Sequence, residues 1–175
     1  MTTAFQVRPA TVGEAHVVAR HRAEMFTDMG TLSQPLYDGL VAGTVRFLQR
    51  AMPAGDYLGW FAVPSENPRE IVGGAGILLR RVPPHPLKSS EVRLAEGRQG
   101  LLMNVFTERP WRRRGVAELL MRHLLAWASD NHLDTLVLHA SDEGRTIYER
   151  LGFVATNEMR YAGPLRRPPQ PDSVR

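Results

Sequence analysis

The stretch from Leu101 to Ala117, LLMNVFTERPWRRRGVA, constrains what this chain can fold into more than any other. Leu101 to Phe106 is an apolar run that predicts a buried strand. Thr107-Glu108-Arg109-Pro110-Trp111 breaks it; three arginines and Gly115 come next, then a long amphipathic segment. A strand feeding a short basic loop that opens a helix gathers free N–H groups and the positive end of a helix dipole at one point. Out of context, Arg112-Arg113-Arg114 reads as a solvated basic turn. In this strand–loop–helix setting it reads as a phosphate seat. The patterns of a nucleoside-triphosphate loop and of a dinucleotide fingerprint are both absent.

The chain before it alternates helix and strand signals. Phe5 to Arg8 predicts a first strand, and Thr11 with Glu14 forms a capping box that opens a helix running to Gly30. Ser33 and Pro35 start a second helix, which ends before Pro53. Tyr57 to Val63 and Ile71 to Leu79 flank a turn cluster and predict a hairpin. Its second arm carries Gly73, Gly74 and Gly76, which weaken a strand unless something must approach it closely. Val82 to Gly97 reads as a long loop.

After the organising strand, a helix is predicted from Gly115 to Asp130, a parallel strand from Leu133 to Ala140, a short helix from Asp142 to Leu151 and a last strand from Phe153 to Tyr161. Residues 1–163 read as one domain and 164–175 as a flexible tail rich in Pro and Arg. With 175 residues the chain can bury a real core.

There is no cysteine, which excludes disulfides, cysteine zinc sites and a cysteine nucleophile. The six histidines form no metal-ligating pair, so no metal is expected. No apolar run is long enough for a membrane span, and the first residues do not resemble a secretory signal, so a cytoplasmic protein is expected. The net charge of +4 sits largely in Arg112–Arg114 and the tail, a focal patch that suits a small anion better than nucleic acid.

Arg112-Arg113-Arg114-Gly115-Val116-Ala117 fits R/Q-x-x-G-x-G/A, and Ser141 to Phe153 is similar to N-x-x-A-x-x-x-Y-x-x-x-G-F, with Ser141 and Gly144 in the Asn and Ala places. Together these motifs resemble the GCN5-related N-acetyltransferases over residues 4–161. The resemblance implies an α/β (α+β) fold: a mixed, mostly antiparallel sheet of six to seven strands, with a central parallel pair and about four helices. It implies acetyl-CoA as acyl donor, and transfer of the acetyl group to a primary amine. Arg112, Arg113, Arg114, Gly115, Val116 and Ala117 would seat the pyrophosphate, and Ser141, Gly144, Arg145 and Tyr148 would also contact the cofactor. The pantetheine arm would lie along the backbone of Val105, Phe106 and Thr107. The family usually carries proline at the place of Arg109; here it stands one residue later, at Pro110.

By the same resemblance Tyr148 occupies the general-acid place, able to protonate the leaving thiolate. By residue type alone it is also an ordinary amphipathic helix aromatic. Base candidates are Glu24, Asp28, Glu91, Glu96 and His139, with water relays as the alternative. Asn104 is either a cleft residue or a satisfied core amide. Met25, Phe26, Met29 and Met159 would line an adaptable acceptor pocket. Glu24, Asp28 and Glu158 could attract a cationic amine, and His139 sits near the strand end. The acceptor is left open among amino acids, polyamines, antibiotics and peptide N-termini. A non-catalytic acyl-CoA-binding domain of the same fold is the alternative function, and a homodimer is a possible assembly.

Overall fold

A computed structural model describes residues 4–86, 94–156, 158–161 and 163. Strand β1 (Phe5–Pro9) leads into helix α1 (Ala15–Asp28) through a 3-10 turn at Val12–Glu14. The Thr11–Glu14 capping box is present, and Glu14 also holds the Arg8 guanidinium at 2.7 Å. Helix α2 (Tyr37–Ala51) comes after a 3-10 turn containing Pro35 and ends two residues before Pro53. Strands β2 (Tyr57–Pro64) and β3 (Gly73–Arg81) form the expected hairpin.

The expected long loop carries a small ribbon, β4 (His85–Pro86) with β5 (Leu94–Ala95); residues 87–93 lie outside the described residues. Strand β6 (Arg98–Thr107), helix α3 (Val116–Asp130), strand β7 (Thr135–Leu138) and helix α4 (Asp142–Arg150) complete the order. The main sheet runs β1-β2-β3-β6-β7, antiparallel except for the parallel β6–β7 pair. Of Phe153 to Tyr161, expected as a strand, the described residues form none; Asn157 lies outside them, as does the tail after Gly163.

Both faces of the sheet are covered. On β2, Trp60 and Ala62 point to α3, where they meet Val116, Leu120, Met121 and Leu124. Tyr57 and Phe61, at the other parity, point to α1 and α2 and pack with Val18 and Leu48. This two-sided burial explains why β2 reads as a continuous apolar run rather than an alternating one.

The glycines of β3 answer a packing need. A Cβ at Gly73 would lie 2.8 Å from the Phe106 carbonyl oxygen and 2.9 Å from Val116. At Gly74 it would press on His21 and Phe61, and at Gly76 it would overlap the Tyr57 hydroxyl. No helix among the described residues is long and apolar enough to cross a membrane.

Candidate active site

The site begins where β6 and β7 part. Their parallel pairing covers only Gln99 to Leu102 on β6, although that strand continues to Thr107. Beyond Leu102, no strand among the described residues lies beside that edge of β6. Pairing with β3 slips there too: Gly76 faces Met103 while Gly74 faces Phe106, so β6 carries one extra residue. This bulge contains Asn104 at φ 58°, a left-handed conformation that asparagine tolerates better than most residues.

Past the bulge, Glu108 N–H bonds back to Val72 on the β3 side, and Thr107 C=O instead accepts from Arg112 Nε at 3.0 Å. Strand alternation therefore turns the backbone groups of Val105 and Thr107 to the open edge, and those of Phe106 to β3. The Thr107 hydroxyl is buried there without a hydrogen-bond partner.

The loop after β6 aims at the same edge. Arg109–Trp111 form a 3-10 turn with Pro110 inside it, so the turn absorbs the displaced proline and leaves the basic loop from Arg112 to Gly115 intact. Arg113 and Gly115 then take left-handed conformations, φ 60° and 80°. The N–H groups of Arg113 to Glu118 donate to no acceptor among the described residues. Six consecutive donors at the start of a fifteen-residue helix form an anion cradle reinforced by the helix dipole. No atom lies within 4 Å of the place a Gly115 Cβ would occupy, so the space above the cradle is open.

The three arginines have separate employments. Arg112 ties the loop down: besides Thr107 C=O it pairs with Asp28 at the end of α1 and lies over the Phe106 ring. Arg114 stacks on Trp111, with its guanidinium carbon 5.0 Å from the ring centre. Arg113 is exposed and has no protein partner among the described residues.

Helix α4 follows β7 and packs Tyr148 and its C-cap Leu151 against the core cluster on the α3 side of the sheet. Ser141 caps it, its hydroxyl accepting from Gly144 N–H at 3.2 Å, which explains a serine in the Asn place. A Cβ on Gly144 would sit 2.9 Å from the Tyr148 ring, so glycine in the Ala place lets that ring lie close to the helix. Tyr148 is half-buried, edge-on to Phe153 at 6.1 Å, and its hydroxyl bonds no described residue. Burial pushes its pKa up, so the hydroxyl stays protonated at neutral pH. Arg145 is exposed on the same helix.

On the opposite face, α1 presents polar residues on its inward stripe. His21 is fully buried between Phe106 and Phe61, with Nε2 3.1 Å from Glu108 and Nδ1 unpartnered. Burial, aided by Arg20, pushes its pKa down to about 4. Arg22 Nη1 donates to Asn104 Oδ1 at 2.7 Å, and Asn104 Nδ2 donates to the Tyr57 hydroxyl at 2.9 Å. Asn104 is thus a satisfied, buried amide that also borders a cavity of about 330 Å³ between α1, α2 and β6.

Glu24 and Asp28 are already engaged. Glu24 accepts from the Tyr37 hydroxyl at 2.8 Å and lies 3.6 Å from Arg109; Asp28 accepts from Arg109 at 2.8 Å and from Arg112. Burial pushes the Asp28 pKa up, but its two arginine bonds outweigh this and hold it below the usual value. Phe26 lies under the Arg22 guanidinium at 4.8 Å, and Met29 is exposed.

His139, past the end of β7, and Glu158 are exposed and 4.0 Å apart; Met159 is 93% exposed. None of these three borders the cavity. Glu91 lies outside the described residues. Among the described residues, no group of three His, Asp or Glu could hold a metal.

The fold is a mixed α/β sheet whose parallel pair lies at one edge, not in the centre as expected, and splits beside an N–H cradle. The profile of the acetyltransferase (GNAT) domain matches residues 91–166. A GCN5-related N-acetyltransferase from Ralstonia eutropha JMP134 superposes with a TM-score of 0.78 at 25% identity, over 90% of this chain and 97% of that one. A predicted acetyltransferase from Clostridium acetobutylicum, crystallised with acetyl-CoA, gives 0.74 at 22% identity, over 91% and 96%. An aminoglycoside acetyltransferase from an uncultured soil metagenomic sample gives 0.63 at 16%, over 93% and 99%. No curated protein matches the sequence. The chain has the fold of the GCN5-related N-acetyltransferases.

Proposed function

We propose that the protein is an N-acetyltransferase that moves an acetyl group from acetyl-CoA to the primary amine of a small molecule. The observation that carries this reading is the alignment of two backbone features. One is the row of six N–H groups at the start of α3; the other is the edge of β6 from Met103 to Thr107; neither has a backbone partner among the described residues. Acetyl-CoA has the matching chemistry: a pyrophosphate, then an arm of amide groups, then an activated thioester.

In this reading Arg113 to Glu118 take the pyrophosphate, with the free Arg113 side chain adding charge and Arg112 holding the loop against Thr107. The outward backbone groups of Val105 and Thr107 hold the arm as an added strand would be held. Tyr148 keeps its proton near neutral pH and has no competing protein partner, which suits a donor to a departing thiolate. Asn104 acts through shape: its left-handed conformation makes the bulge that opens the strand edge. Glu24 and Asp28 brace α1 against the loop, so the acceptor amine loses its proton through water rather than to either of them.

The test is thermal denaturation with acetyl-CoA, then an amine panel read as free thiol. Stabilisation at saturating acetyl-CoA with amine-dependent thiol release supports transfer; a ligand bound only by the folded state must stabilise it. Stabilisation without thiol release from any amine points to an acyl-CoA-binding domain, and no stabilisation overturns both.

A further inference from the structure

The cavity between α1, α2 and β6 has features that the cofactor does not use. It is lined by Leu40, Phe47, Leu48, Met103, Asn104 and Arg22, and Arg22 is its one charged residue among those described. Arg22 is half-buried, and no carboxylate among the described residues pairs with it. The nearby acids are taken: Glu24 by Tyr37 and Arg109, Asp28 by Arg109 and Arg112, Glu108 by Arg20 and His21.

The Arg22 guanidinium spends one N–H on the neutral amide of Asn104 and rests its face on Phe26. That leaves most of its five donors unused beside an apolar wall. A cation held in such a place without a counter-charge costs stability unless something returns the charge.

Helix α2 contributes a second, independent feature. Gly39 and Gly43, four residues apart in the helix, both line the cavity. Glycine inside a helix costs about 1 kcal/mol against alanine. No atom lies within 4 Å of a Cβ built at Gly39, and only the tip of Arg46 approaches one at Gly43, at 3.8 Å. Packing therefore does not demand these glycines; they keep the cavity open.

We infer that this cavity takes an acceptor amine that also carries a carboxylate, with the carboxylate bound by the Arg22 fork and an apolar side group against Leu40, Phe47 and Met103. This rests on the acetyltransferase reading and narrows its acceptor to amino-acid-like molecules. A polycation such as a polyamine would meet Arg22 with like charge and leave the apolar wall unfilled.

The experiment compares matched pairs on the full chain: leucine with leucinamide, methionine with methioninamide, phenylalanine with phenylalaninamide, and spermidine as the polycation. Thiol release from acetyl-CoA and thermal shift in the presence of CoA are both read. The acids are expected to exceed their amides by about tenfold or more in kcat/KM, the worth of one charge-assisted pair. They should also shift the melting temperature where the amides do not.

Arg22→Met should bring the acid-to-amide ratio near one, and Arg22→Lys should retain part of it. Gly43→Val should abolish the acid-induced shift while stabilisation by acetyl-CoA persists. Amides or spermidine performing as well as the acids, an unchanged ratio in Arg22→Met, or stabilisation by acetyl-CoA with no response to any acid would each overturn the inference and leave the acetyltransferase reading standing. Absence of stabilisation by acetyl-CoA itself would strike the acetyltransferase reading instead.

Discussion

Asn104 Nδ2 donates a 2.9 Å hydrogen bond to the Tyr57 hydroxyl across 47 residues of sequence, and this bond pins the bulge of β6 to the floor of the α1–α2 face. The bond exists because Gly76 lacks a Cβ, which would overlap the Tyr57 hydroxyl. Burial pushes the Tyr57 pKa up to about 12, so the hydroxyl is neutral at any ordinary pH. Tyr57→Phe would leave the Asn104 amide with an unsatisfied donor in a buried place. A loss of about 1–3 kcal/mol in urea unfolding is expected. A loss near zero would mean that the bulge stands without this bond.

The cradle makes a prediction about conformation as well as charge. Gly115 sits at φ 80°, so Gly115→Ala should cost about 1 kcal/mol or more in stability, because a side chain at that φ is strained. Gly115→Glu adds bulk and negative charge above the cradle N–H groups, and should weaken acetyl-CoA binding well beyond the alanine variant. Equal affinities for the two variants would show that the anion lies elsewhere.

Tyr148→Phe keeps the ring against Phe153 and removes only the hydroxyl. If that hydroxyl supplies the proton, kcat falls by about 10²–10⁴-fold while acetyl-CoA affinity stays close to wild type. A large loss of affinity with kcat intact would make Tyr148 a packing residue.

Much of this site is legible without coordinates. The strand–loop–helix of Leu101–Ala117 is local: an apolar run, a turn cluster and an amphipathic helix fix it without help from the rest of the chain. The capping box at Thr11 and Glu14 is legible for the same reason. The bulge at Asn104 is not, because it exists only relative to the register of β3. Nor can a sequence say that Asp28 meets Arg112 across 84 positions, so an acid free to attract an amine cannot be told from one braced by arginines. Phe153 to Tyr161 has strand-forming residues, yet its described part forms no strand, since propensity alone supplies no neighbour to pair with. His21 and Arg22 do leave a trace in the sequence: polar residues set within the buried stripe Ala15, Val18, Ala19 and Ala23.

His21 gives a pH dependence whose direction is set by burial. Its folded pKa is lowered to about 4, whereas an unfolded histidine titrates near 6.5. Between those values the unfolded chain binds more protons, so the contribution is complete above about pH 6.5 and is lost as pH falls toward 4. The melting temperature should therefore decline through that window, and His21→Phe should flatten the decline. An identical slope in the variant would assign the loss to other groups. Glu14, held down to about 2 chiefly by its bond from Arg8, extends the loss to lower pH in the same direction.

The proposed activity stands or falls on whether the cradle after Arg112 and the open edge of β6 together bind acetyl-CoA. Calorimetric titration of the full chain with acetyl-CoA, beside Gly115→Glu, is the decisive measurement. Saturable one-to-one binding to the wild type and a clear loss of affinity in the variant are expected. No binding to a folded wild-type chain, or equal binding by both proteins, would refute the acetyl-CoA site.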